Sequence, residues 1–217
     1  MPFDAPFTEV HAPALFGNPE GGASGVKIRY AREEEIFGEG EPAEYVYQVL
    51  SGAVRTYRIL RDGRRQIDEF HFAGGYFGME VGSAHRTTAE AIGNSTVLVA
   101  RRATFTDMAD QRGDVARQLL KLTMEGSQRR QDHVVLLGRK SASERVVSLL
   151  LDLAERSGSP SVLDVPMSRQ DMADYLGLTI ETVSRTLTQL QTDGMISIPT
   201  TRRIVLRNRA ALADMIE

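Results

Sequence analysis

The chain has 217 residues and a formal net charge of −3, with 41% hydrophobic and 25% charged residues, room for about two globular domains. It contains no cysteine, which excludes disulfides, thiolate zinc sites, cysteine-held iron–sulfur clusters and redox sensing by thiols. No apolar run approaches the ~20 residues that cross a bilayer, and the opening Met-Pro-Phe-Asp-Ala-Pro-Phe lacks the basic start and apolar core of a signal peptide, so the expected location is the cytoplasm.

Residues 1–25 are expected to form a flexible N-terminal arm. From Val26 to about Arg102 short apolar/polar alternations are separated by glycine turns, with no helical period, which predicts an all-β domain over 26–113. Residues 45–50 form one strand, 53–60 and 65–72 pair through Asp62-Gly63, and 89–100 supply a further strand. A single open sheet would leave too many edges, so a jelly-roll-like β-roll is the natural closure. A short helix follows over 104–112, and a long one over 114–139, roughly 40 Å at ~1.5 Å per residue. Its apolar residues cluster at Val115, Leu119, Leu120, Leu122 and Met124 and again over 134–137, with a polar stretch between. One helix cannot bury both clusters, so 114–140 is predicted to be a dimerisation helix joining two copies about a two-fold axis. Ser141 and Glu144 then make a capping box for a helix over 142–157.

The last segment, 141–217, carries the strongest functional signal. Ser168 with Asp171 caps a helix over 169–176, in which Met172, Ala173 and Leu176 recur at helical spacing, and Gly177 ends it. Thr179 caps a second helix whose Val183, Leu187 and Leu190 lie on one side, leaving Ile180, Glu181, Ser184, Arg185 and Thr188 on the other. A small residue at the crossing, glycine in the turn and valine packing back are the features of a helix-turn-helix, the unit that lays one helix in the major groove of DNA. Residues 195–206 read as a hairpin wing with Arg202 and Arg203 at its tip, suited to phosphates. Lys and Arg do not outnumber Asp and Glu from residue 140 onward, so binding must rest on where the charges lie. The expected backbone contacts are Arg169, Thr179, Thr182, Thr188, Arg202 and Arg203.

The order of β-roll, long central helix, capped helix, helix-turn-helix and wing makes an α+β chain that resembles the CRP/FNR family of bacterial transcription regulators from Val26 to the end. The sequence Glu181-Thr-Val-Ser184-Arg185 is similar to the recognition helix of its FNR and FixK branch. The resemblance implies a homodimer on a two-fold double-stranded DNA site of TTGA type, read by Glu181, Ser184 and Arg185, and activation by recruitment of RNA polymerase. The chemistry agrees: arginine pairs with guanine O6 and N7, glutamate accepts from the cytosine amino group, and serine reaches either kind of base edge. Two such units would meet major-groove faces roughly 34 Å apart.

Effector binding is where the family's pattern is broken. Cyclic-nucleotide members hold the ribose with a glutamate and the cyclic phosphate with an Arg-Ser pair after a Phe-Gly turn. Here Met79 falls where the glutamate is expected with Glu80 beside it, the loop is short, and Arg86-Thr87 stand in place of Arg-Ser. Gly78, Glu80, Arg86 and Thr87 therefore form a degenerate effector pocket, and the expected regulator works without a small-molecule effector, cofactor or metal. The alternatives are an effector-dependent regulator or repressor of the same family, or a cupin-like metalloenzyme using His71, Glu80 and His85. The spacing disfavours the enzyme, since His71 lies between Phe70 and Phe72 without the paired histidine such a site needs.

Overall fold

A computed structural model describes residues 25–216; the rest of the predicted N-terminal arm lies outside the described residues. Eight strands open the described residues: β1 (Val26–Tyr30), β2 (Glu35–Phe37), β3 (Tyr45–Ser51), β4 (Ala53–Ile59), β5 (Arg65–Phe72), β6 (Tyr76–Phe77), β7 (Thr88–Ala91) and β8 (Ser95–Arg101). They form two four-stranded sheets, ordered β1-β8-β3-β6 and β2-β7-β4-β5. Phe37, Tyr47, Val49, Val54, Phe77, Ala89 and Val97, drawn from both sheets, make one buried cluster, which is how alternating strands share a core. The Asp62-Gly63 hairpin is as predicted, with the Leu60 N–H donating to Arg64 O at 2.8 Å and the Gly63 N–H to Leu60 O at 2.9 Å.

The single strand expected over 89–100 is instead two, because the chain changes sheets at Gly93-Asn94. Buried Ser95 makes that corner: its hydroxyl donates to Gly93 O at 2.8 Å and accepts from the Ala53 N–H at 3.1 Å. Both halves read as one apolar run, and only the pairing separates them.

Next come α1 (Arg102–Gln111) and α2 (Gly113–Arg139). Val115 is buried with Val46, Tyr76 and Ala100, and Leu119 and Leu122 pack against this cluster. These three residues belong to the first of the two apolar clusters expected at the dimer seam. Their spacing puts them on one helical face, which the β-sheet covers. Leu120, Met124, Val134 and Val135 stay exposed.

The remainder is α3 (Ala142–Ser157), β9 (Val162–Asp164), α4 (Arg169–Leu176), α5 (Ile180–Thr192), β10 (Ile196–Thr200), β11 (Arg203–Leu206) and α6 (Arg209–Asp214). The predicted two-stranded wing is a three-stranded sheet, β10-β11-β9. By internal contacts the described chain forms two compact units: residues up to Ile59 with Ile67–Arg129, and Leu60–Gln66 with residue 130 onward.

Candidate nucleic-acid interface

The interface is assembled from local signals. The Ser168 hydroxyl accepts from the Asp171 N–H at 3.0 Å, and the Asp171 carboxylate accepts from the Ser168 N–H at 2.9 Å, so two otherwise unpaired donors at the start of α4 are satisfied. Asp171 and Asp174 also take the Arg65 guanidinium, at 2.6 and 2.7 Å. Met172, Ala173 and Leu176 are fully buried. Gly177 stands at φ 62°, ψ 39°, a left-handed conformation that costs any other residue backbone strain. The turn returns the chain so that the Leu178 N–H reaches Ala173 O at 3.0 Å.

Thr179 starts α5 by accepting from the Thr182 N–H at 3.3 Å. Val183, Thr186, Leu187 and Leu190 face inward and are buried. Ile180, Glu181, Ser184, Arg185 and Thr188 are exposed, as the spacing predicts. The Glu181 carboxyl lies below the usual carboxylate range, held there by its own backbone N–H, by Thr179 and by the Arg185 charge, so it is an ionised acceptor. Ser184 lies one helical turn from both Ile180 and Thr188, and the Thr188 hydroxyl donates to Ser184 O at 3.0 Å. A phosphate oxygen only accepts, so Thr188 must give up that bond to contact one. The hydroxyls of Thr179 and Thr182 bond each other at 3.1 Å, so one of their two protons is already used.

The predicted phosphate-contacting arginines are in different situations. Arg202 lies in the turn between β10 and β11, whereas Arg203 already belongs to β11 and pairs with Asp164 of β9 at 3.1 Å. The wing tip therefore carries a half-buried Arg202 and an exposed Arg203 whose charge is shared with Asp164. Arg169 is half-buried, its Nη1 3.4 Å from Met172 Sδ, and burial pushes its guanidinium down from the ordinary value. Sequence reasoning missed β9 and its Asp164, the Arg65 pair, and Arg145, whose guanidinium donates to three carbonyls; none carries a local pattern.

In the β-roll, Gly78 has φ 74°, and a Cβ there would lie 2.6 Å from the Tyr47 ring. Glu80 Oε1 is 3.7 Å from His85 Nδ1. Arg102 donates to the carbonyls of Glu80 and Gly82, both at 2.7 Å. Arg86 is exposed and Thr87 buried, so the two are not presented together as an anion cradle. His85 is buried and stacks on Phe37 at 3.6 Å, beside Tyr47. Burial drives the Tyr47 phenol up to about 12, helped by Tyr30, Glu41 and Tyr45. His71 Nε2 faces the Thr56 hydroxyl at 3.2 Å and stacks on Phe77. The structure thus does not join His71, Glu80 and His85 into one ligand set, and no group of three His, Asp or Glu among the described residues is placed to hold a metal ion. No helix among them is long and apolar enough to cross a membrane.

Comparison with known proteins adds three kinds of similarity. Residues 27–112 match a family model described as a cyclic nucleotide-binding domain, and residues 144–215 one described as a Crp-like helix-turn-helix domain. The nitrogen fixation regulation protein FixK of Azorhizobium caulinodans is 48% identical over 195 residues, 88% of this chain and 79% of that protein. The transcriptional activatory protein AadR of Rhodopseudomonas palustris is 39% identical over 175 residues, 79% and 73% respectively. The structure of FixK2 from Bradyrhizobium japonicum superposes with a TM-score of 0.86 at 47% identity, covering 89% of this chain and 98% of that one.

Proposed function

The chain belongs to the CRP/FNR family of DNA-binding transcription regulators, and from that membership we propose that it acts as a cytoplasmic activator, a homodimer on a two-fold DNA site. In this reading 26–113 is a sensor-like β-roll, 114–140 joins the two copies, and 141–217 holds the DNA. The exposed apolar residues of α2 (Leu120, Met124, Val134 and Val135) support the pairing. Glu181, Ser184 and Arg185 read the bases of a TTGA-type half-site. Arg169, Thr179, Thr182, Thr188, Arg202 and Arg203 set the position on the phosphates. The bound dimer recruits RNA polymerase, in keeping with the activatory role in a relative's name.

Action without a small effector is supported by the aromatic packing of the β-roll, where His85 stacks on Phe37 and Tyr47 stacks on Phe77. The observation that carries the functional reading is the outward face of α5: one anion, one hydroxyl and one guanidinium, fixed by a capped N-terminus and a buried apolar back. Selection of bound duplexes from a random pool with purified protein and no added ligand tests it. A two-fold consensus of TTGA type is expected. Recovery of no consensus, or one that needs an added nucleotide, refutes it.

A further inference from the structure

Arg145 is the fourth residue of α3 and is half-buried. Among the described residues its guanidinium donates only to main-chain oxygens: Nη2 to Leu137 O at 2.8 Å, Nε to Lys140 O at 2.9 Å and Nη1 to Leu176 O at 3.0 Å. Leu137 lies in the last turn of α2, Lys140 links α2 to α3, and Leu176 closes α4 just before the turn at Gly177. The last four carbonyls of a helix have no partner within it and carry the negative end of its dipole. One planar cation thus holds the C-terminal ends of two helices and the link between α2 and α3, a fork that a lysine ammonium cannot reproduce.

The surroundings are shaped around this grip. A Cβ at Gly177 would stand 3.4 Å from Leu137 Cδ2 and 3.5 Å from Arg145 Nη1, so the helix-turn-helix corner rests directly on the end of α2 and on the guanidinium. His133 of α2 adds a ring stack on Tyr175 at 4.1 Å and a bond to Tyr175 O at 2.9 Å. All these residues lie in the same compact unit, which includes α2 from Arg130 onward.

We propose that Arg145 is the positioning residue that fixes the direction of α5 relative to the end of α2, and thereby sets which half-site spacing the dimer accepts. The inference rests on the reading that α2 joins two copies. The lever is short but sufficient: α5 is ~20 Å long at ~1.5 Å per residue, so a tilt of roughly 10° moves its far end by ~3 Å, about one base-pair step.

The test uses the full chain as wild type, Arg145→Lys and Arg145→Gln. Each is titrated by fluorescence anisotropy against the selected two-fold duplex, the same duplex with one base pair added or removed between half-sites, and a single half-site; association state is followed by sedimentation. Wild type should prefer the selected spacing by tenfold or more. In Arg145→Gln that preference should shrink at least fivefold, while single-half-site affinity changes less than twofold and the dimer persists. Arg145→Lys should fall between, and it decides the matter if the glutamine variant does not fold. Unchanged spacing preference in the folded variants, or parallel losses on single and paired half-sites, overturns the inference alone. Wild-type protein that binds one half-site as tightly as two overturns the pairing and this inference with it.

Discussion

Replacing Gly177 with alanine isolates the turn on which the interface depends. At φ 62° a non-glycine residue pays about 1–2 kcal/mol in backbone sterics. The new methyl would meet Leu137 Cδ2 at 3.4 Å and Arg145 Nη1 at 3.5 Å, which is ordinary contact and adds no clash. Alanine also restricts the unfolded chain, offsetting about 0.4–1 kcal/mol, so the expected net loss is about 1 kcal/mol. In a unit of about a hundred residues that lowers the midpoint by about 4–8 °C, read by calorimetry as the transition that operator DNA raises. Gly158 has φ 64° at the end of α3, and a Cβ there meets nothing within 4 Å. Gly158→Ala should therefore cost as much stability as Gly177→Ala and leave operator affinity unchanged, whereas Gly177→Ala should weaken it. Asparagine at 177 tolerates the left-handed region better and should lose about half as much. A loss above about 3 kcal/mol, or no loss at all, would show that backbone conformation is not what glycine supplies at this turn.

Three further substitutions test roles proposed for single side chains. Arg185→Ala should cost about 1–3 kcal/mol on the selected site and relax base preference at one position, while Arg202→Ala should weaken specific and random DNA alike and flatten the salt dependence by roughly one phosphate; equal behaviour of the two variants in salt titrations would refute the division. Burial lowers the His85 pKa below 6.5, opposed by Glu80 and Glu41 and reinforced by Arg102. The unfolded chain then takes up a proton while native His85 stays neutral, so stability should fall as pH drops below about 6.5 until the native ring is protonated. His85→Leu should flatten that limb in urea denaturation at stepped pH, and an unchanged slope would contradict the sign.

The features legible in the sequence are those whose physics is contained within a few residues. The boxes at Ser141–Glu144 and Ser168–Asp171 close between positions three apart, so their residue types alone place the starts of α3 and α4. Gly177 is recognisable because few residues accept its conformation. By contrast β9 is three residues in a serine-, glycine- and proline-containing stretch, and it is a strand only because β11 pairs with it some forty residues later. The same holds for Arg203, which reads as a free wing-tip charge until Asp164 is seen opposite. Residues in the loop after Gly78 reveal a departure from the nucleotide-binding pattern, but the aromatic packing depends on Phe37 meeting His85, which lies far from it in sequence. The share of α2 covered by its own β-sheet was equally hidden, since periodicity shows a face to be apolar without showing what lies on it.

The mild acidity of the chain has a consequence for how specificity arises. Arg203 and Arg209 face the carboxylates of Asp164 and Glu155, so indiscriminate attraction to phosphate rests on fewer cations than the composition suggests. Glu181 stands on the exposed face as an ionised group, stabilised in that form by its own backbone N–H and by Thr179. Near DNA such a carboxylate is repelled by the phosphates and loses its hydration in the groove, and it recovers that cost only where a base amino group donates to it. A wrong base leaves the charge in place without the donor. Under the proposed base contacts, discrimination would come as much from an anion that is penalised on most sequences as from the contacts of Arg185 and Ser184 on the right one, and weak overall electrostatic attraction would let that penalty decide between sites.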